Sequence, residues 1–182
     1  MSRDERNRSG QAYGLTVLTP VLEDHVSPLA AHLGALGTAE ASPLARVPGT
    51  HFARWVIVDD VVYEGGRQRR DALTAARLLF TSNFDGPLAG YLEALRTGLG
   101  ADADAIWGHC AGYPGRREGG AFAAWMRAHQ VESALFFSAY GDQTVAEVRR
   151  NLDERSRLMA FALEAQGLPP AQLQKRFRRE LG

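Results

Sequence analysis

Three short strings carry the side chains that could do chemistry. In His109-Cys110-Ala111-Gly112-Tyr113-Pro114 an imidazole stands four residues before a phenol. Taken as a strand, this run puts Trp107, His109, Ala111 and Tyr113 on one face. A His and a Tyr on an aromatic-lined sheet face suit acid/base work on a flat ligand or an oxidation substrate. His109 and Tyr113 are therefore the candidate catalytic residues; the alternative is that His109 is a hydrogen-bonded core residue. Cys110, the single cysteine, points the other way and reads as packing rather than as a nucleophile.

The second string is Ser82-Asn83-Phe84-Asp85-Gly86, at a strand-to-helix junction. Asn83 and Asp85 alternate onto one side, and the following helix start offers free N–H groups that could hold an anion. Helix capping by Asp85 is the competing reading. The third string opens with His51 and Arg54, which fall on opposite faces by the period of two. His51 could be a general base, or a strand-end histidine near solvent or hydrogen-bonded to a loop. Arg54 sits among apolar neighbours and needs a partner, either Asp85 in a structural ion pair or a substrate carboxylate. Tyr140 ends the run SALFFSAY and joins His109 and Tyr113 if that side faces a pocket. His51, Arg54, Asn83, Asp85 and Tyr140 are the candidate ligand-binding residues.

No metal site is predicted, since Cys110 has no second Cys and His25 and His32 do not form an H-E-x-x-H pair. The chain also lacks G-x-x-x-x-G-K-[ST], G-x-G-x-x-G and G-x-S-x-G, which removes nucleotide binding by those routes and α/β-hydrolase chemistry.

The elements that must position these residues follow from periodicity. Residues 1–12 are polar and read as a tail. LTVLTPVL over Leu15–Leu22 is a short strand. A helix follows from Ser27-Pro28, with the stripe Val26, Leu29, Ala30, Leu33 and Leu36. HFARWVIVD, over His51–Asp59, is apolar on both faces and predicts a central strand covered on both sides. Asp60–Asp71 reads as a hairpin tip or longer loop. Strand 76–84 leads through Asp85-Gly86-Pro87 into a helix with the stripe Leu88, Tyr91, Leu92, Leu95 and Leu99. Ala105–Tyr113 and Ser133–Tyr140 read as further strands, with a short helix at Ala121–His129 between them. Thr144 and Glu147 form a capping box for the longest helix. Val145, Val148, Leu152, Met159, Ala162 and Leu163 are its expected buried side. The order spells an α+β domain over 13–167, with a peripheral segment at 168–182. Its first six elements match the split unit of ferredoxin-like antiparallel sheets, with an extra C-terminal strand and helices.

In 182 residues, 21 basic and 21 acidic side chains balance to zero. Nearly all the basic ones are Arg, concentrated in tails and loops. Zero net charge with 45% hydrophobic residues argues against chain-wide disorder and against a general nucleic-acid binder. No apolar run reaches membrane-spanning length, no secretory signal is visible at Met1–Gly10, and one cysteine forms no internal disulfide. A cytoplasmic location is the expectation.

The strings HFARWVIVD, LLFTSNFDGPLAGYLEAL, AIWGHCAGYPG and SAYGDQTVAEVRR resemble a bacterial group of ferredoxin-like, dimeric α+β-barrel proteins associated with haem peroxidase and oxygenase systems. The resemblance spans about residues 13–167. It implies a homodimer and a small-molecule redox protein with a peroxidase- or oxygenase-like activity and haem as the possible cofactor, for which His109 or His51 would be the ligand. A proximal haem histidine of those families does not align onto this chain. The alternatives are a non-catalytic ligand-binding or accessory domain and a purely structural dimerisation module.

Overall fold

A computed structural model describes residues 3–61, 65–66 and 73–180. They form α1 (Arg3–Arg6), β1 (Arg8–Ser9), β2 (Ala12–Pro20), α2 (Val26–Ala35), two 3-10 turns (Ala39–Ala41 and Pro43–Arg46), β3 (Thr50–Val58), β4 (Arg77–Asp85), α3 (Leu88–Leu99), α4 (Ala101–Trp107), α5 (Gly119–Ala128), α6 (Val145–Glu164) and α7 (Pro170–Glu180). The class is α+β. Most of the expected loop at Asp60–Asp71 lies outside the described residues. The chain divides into two compact units, Met1–Asp142 and Gln143–Gly182.

In the first unit four antiparallel strands lie in the order β1-β2-β4-β3. One sheet face is fully built. Tyr13, Leu15 and Val17 of β2 and Leu78, Phe80 and Phe84 of β4 are all buried at alternate positions. Leu29 of α2, the whole predicted stripe of α3, and Ile106, Trp107, Phe122 and Met126 from α4 and α5 close over them in one cluster. Aromatic rings supply much of the fill: Phe84 stacks on Tyr91 at 3.6 Å, and Trp107 meets Phe80 edge-on at 5.4 Å.

Just before β2, residues 7–9 join the first unit. Arg8 and Ser9 pair with β2, and Asn7 is fully buried. β3 is an edge strand rather than a central one. Its Ala53, Trp55 and Ile57 pack against the core, whereas Phe52 stands 77% exposed on the other side. An apolar second face satisfied the rule for a doubly covered strand, but Phe52 and Val56 on that face are exposed. Ala105–Tyr113 is not a strand. Leu99, Ala103, Ile106, Trp107 and Cys110 recur at helical spacing and are all buried, so α4 and the turn after it occupy this stretch. A short apolar run fits a buried helix as well as a strand, and the spacing back to Leu99 decides.

Ser133–Tyr140 forms no strand either. The chain touches β2 at the isolated bridge Val17–Gln130 and then follows that edge. Ser133 N–H donates to Asn7 Oδ1 at 3.0 Å, Ser138 N–H to Ser9 Oγ at 3.2 Å, and Gln11 N–H to the Gly141 carbonyl at 2.6 Å. Side chains from β1 and its approach thus satisfy groups that a strand ladder would otherwise hold. Gly14 is essential to this route, because a Cβ there would lie 2.7 Å from the Phe136 ring.

In the second unit the Thr144/Glu147 capping box is present, with Glu147 N–H donating to Thr144 Oγ1 at 3.2 Å. Phe161 of α6 meets Phe177 of α7 at 5.8 Å, and Arg176 pairs with Glu164 and Glu180. The expected buried side of α6 is not buried: Val148, Leu152, Met159 and Leu163 are exposed. The stripe is real in the sequence, but α7 packs on the opposite side of the helix, around Phe161.

Candidate functional site

The polar side chains gather on the sheet face that the helices leave open, and a bulge puts them there. The β3–β4 register runs Thr50 to Phe84, then Phe52 to Asn83, with His51 inserted between. Thr50 is tied to the core side: its Oγ1 shares a 3.2 Å hydrogen bond with the Tyr91 hydroxyl, which also lies 2.5 Å from Ser82 Oγ. Burial raises the Tyr91 pKa, and its hydrogen bonds to Ser82 and Thr50 work the other way. Phe52 is on the open side. The extra residue breaks the period of two, and bulges commonly re-aim side chains in this way. His51 therefore reaches Asp85, with Nε2 2.6 Å from Oδ1, both half-buried. The backbone is held alongside by Asp85 N–H donating to the Gly49 carbonyl at 3.0 Å.

This changes the partners expected from sequence. Asp85 pairs with His51, not with Arg54. Arg54 and His51 lie on the same side of the sheet, not on opposite ones, because the bulge intervenes. Arg54 is exposed, and its Nε–H donates to Thr81 Oγ1 at 3.2 Å. Along β4, Thr81, Asn83 and Asp85 alternate onto this face. Across the register Asn83 stands beside Phe52 on one side and Gly14 on the other. The result is a row: the Arg54 cation beside Thr81, the Asn83 amide with the Phe52 ring, then the His51–Asp85 pair.

The other candidates lie elsewhere. His109 follows α4 and sits against the start of α2, its Nδ1 3.0 Å from His25 Nδ1 and the rings at 69°. Burial lowers the His109 pKa, and the charges of His25 and His32 add to that. Such a contact needs one neutral ring to accept. Tyr113 does not share a strand face with His109, since the run is a helix end and a turn. Its ring packs on Phe122 and Trp125, and its hydroxyl donates to Asp104 Oδ1 at 2.9 Å. Burial and this bond to a carboxylate both raise its pKa. Tyr140 is 77% exposed in the turn before Gly141, whose carbonyl accepts from Gln11 N–H. Cys110 is buried, as expected for packing; burial raises its pKa, and Thr19 Oγ1 donates to its sulfur at 3.2 Å. Sequence reasoning missed His25 and Phe52. His25 lies 84 residues from His109, beyond any local signal. Phe52 was visible only as half of an apolar alternation.

Among the described residues no group of three or more His, Cys, Asp or Glu side chains is placed to hold a metal ion. At the open face the residues also do not fit haem. His51 Nε2 is engaged by Asp85. The apolar groups beside His51 stand exposed on an open face instead of walling a slot. No helix among the described residues is long and apolar enough to cross a membrane. Comparisons with protein-family models, with curated proteins and with solved structures found no match.

Proposed function

We propose that this chain is a non-catalytic ligand-binding and dimerisation domain of the ferredoxin-like, dimeric α+β-barrel type. A second copy closes the open sheet face, and a small molecule binds against that face. The observation that carries this reading is the asymmetry of the sheet. Helices cover one face completely, whereas the other presents Phe52 at 77% exposure and Val56 at 39%. An amphipathic sheet must bury its second apolar face against something. A second copy of the same face is the simplest cover, since a two-fold axis pairs one surface with itself. The fold support is the order β2-α2-β3-β4-α3 with β4 between β2 and β3.

The redox reading has less behind it, because His51 Nε2 is engaged by Asp85 and the exposed face around it forms no slot. The His51–Asp85 pair is instead suited to hydrogen bonding with a ligand. Light scattering on the whole chain at micromolar concentration tests the proposal, with the mass of two chains expected. A strictly monomeric mass overturns it. An absorbance scan after haem addition tests the redox alternative: a Soret shift lost in His51→Ala or His109→Ala would restore it.

A further inference from the structure

We propose that the row from Arg54 to His51 binds a small aromatic carboxylate. The carboxylate sits on the Arg54 guanidinium, the ring lies against Phe52, and a polar substituent at the far end meets Asn83 and His51. This rests on the reading that the open sheet face is the working surface, and it names what that surface takes.

Arg54 makes one hydrogen bond, through Nε to Thr81, and pairs with no carboxylate among the described residues. The face's own carboxylate, Asp85, is held by His51 at 2.6 Å. The terminal nitrogens of Arg54 are left as a planar fork, the geometry that meets a carboxylate with two parallel bonds. Closure of the face by a second copy takes this cation out of water. A guanidinium removed from water without a counter-charge is strongly unfavourable, and a ligand carboxylate supplies that charge.

The second observation is unused hydrogen-bonding capacity further along the row. The Asn83 amide makes no side-chain hydrogen bond to the described residues, and His51 makes one through Nε2 that leaves Nδ1 without a partner among them. Both lie on the same face as Arg54. The third is Phe52, which stands between Arg54 and His51 in β3 and directly across from Asn83. An exposed ring flanked by polar groups binds flat molecules by stacking. Alternate residues on one strand face are ~6.7 Å apart, so Thr81 with Arg54 and then Asn83 are spaced for a single ring bearing groups at opposite ends.

The probe is 4-hydroxybenzoate, titrated into the whole chain and followed by amide shifts in two-dimensional NMR. Saturable shifts confined to the open-face positions of β3 and β4 are expected. 4-Hydroxybenzamide, which keeps the shape and loses the charge, should bind at least tenfold more weakly, as should 4-hydroxybenzoate to Arg54→Gln. Equal binding of the amide, equal binding by Arg54→Gln, or no saturable shift with the wild type overturns the proposal. The amide comparison needs no variant, so it stands even if Arg54→Gln folds poorly. Mass measured on the same samples separates the two readings. A dimer without binding removes this site alone, and a monomer that binds removes the dimer alone.

Discussion

In the proposed dimer, replacing Phe52 with alanine should dissociate the two copies while leaving the fold intact. Phe52 is 77% exposed in the single chain, so the fold draws little stability from its ring. In a closed dimer the same ring leaves water. Transfer of most of a phenylalanine side chain is worth ~2 kcal/mol. A two-fold interface contains the residue twice, which makes ~4 kcal/mol, or about a thousandfold in the dimer dissociation constant. Sedimentation equilibrium over a wide concentration range reads this directly. The unfolding free energy of the isolated Phe52→Ala chain should lie within about 0.5 kcal/mol of the wild-type monomer, as for surface substitutions generally. A dissociation constant within threefold of wild type would show that the open face is not the interface. Loss of the fold in Phe52→Ala would show that the ring supports the core, against its exposure.

Three further outcomes follow from particular contacts. His109 has a lowered pKa in the folded chain, so the folded state binds its proton less readily than the unfolded state does. Stability should therefore fall as pH drops below the ordinary histidine value of about 6.5 and level off once the folded form also protonates; urea unfolding between pH 5 and 8 should show that slope reduced in His109→Gln. Gly14→Ala places a Cβ 2.7 Å from the Phe136 ring, and the displaced ring should cost ~1–3 kcal/mol in thermal unfolding. Thr144→Ala removes the hydroxyl that accepts from Glu147 N–H and should lower helicity at the start of α6, at a cost of about 1 kcal/mol seen by circular dichroism.

Local chemistry accounts for what could be read from the sequence. The α3 stripe from Leu88 to Leu99 is buried residue for residue, because a five-member helical pattern has one way to face a core. The capping box at Thr144 formed as read, since its two hydrogen bonds lie within four residues. The strands near 12–20, 50–58 and 77–85 were found within a few positions of their ends. What was misread required knowing neighbours. Ala105–Trp107 is apolar enough for a strand or a buried helix, and its phase with Leu99 settles it as α4. Ser133–Tyr140 has strand-like residues but no strand ladder, because the Asn7 and Ser9 side chains take up the Ser133 and Ser138 N–H groups.

The candidate site divides in the same way. From the sequence alone came the chemical inventory: His51, Arg54, Asn83, Asp85, His109, Tyr113 and Tyr140, and the fact that Arg54 needs an explanation. Only the tertiary structure decided who meets whom. One inserted residue in β3 moved His51 onto the face of Asp85 and Arg54, and a turn after α4 sent His109 to His25 and Tyr113 to Asp104. The physical reason is range. Periodicity and capping are set by residues a few positions apart. A bulge's effect on which face a side chain takes, and a contact across 84 residues, are set by packing of the whole sheet.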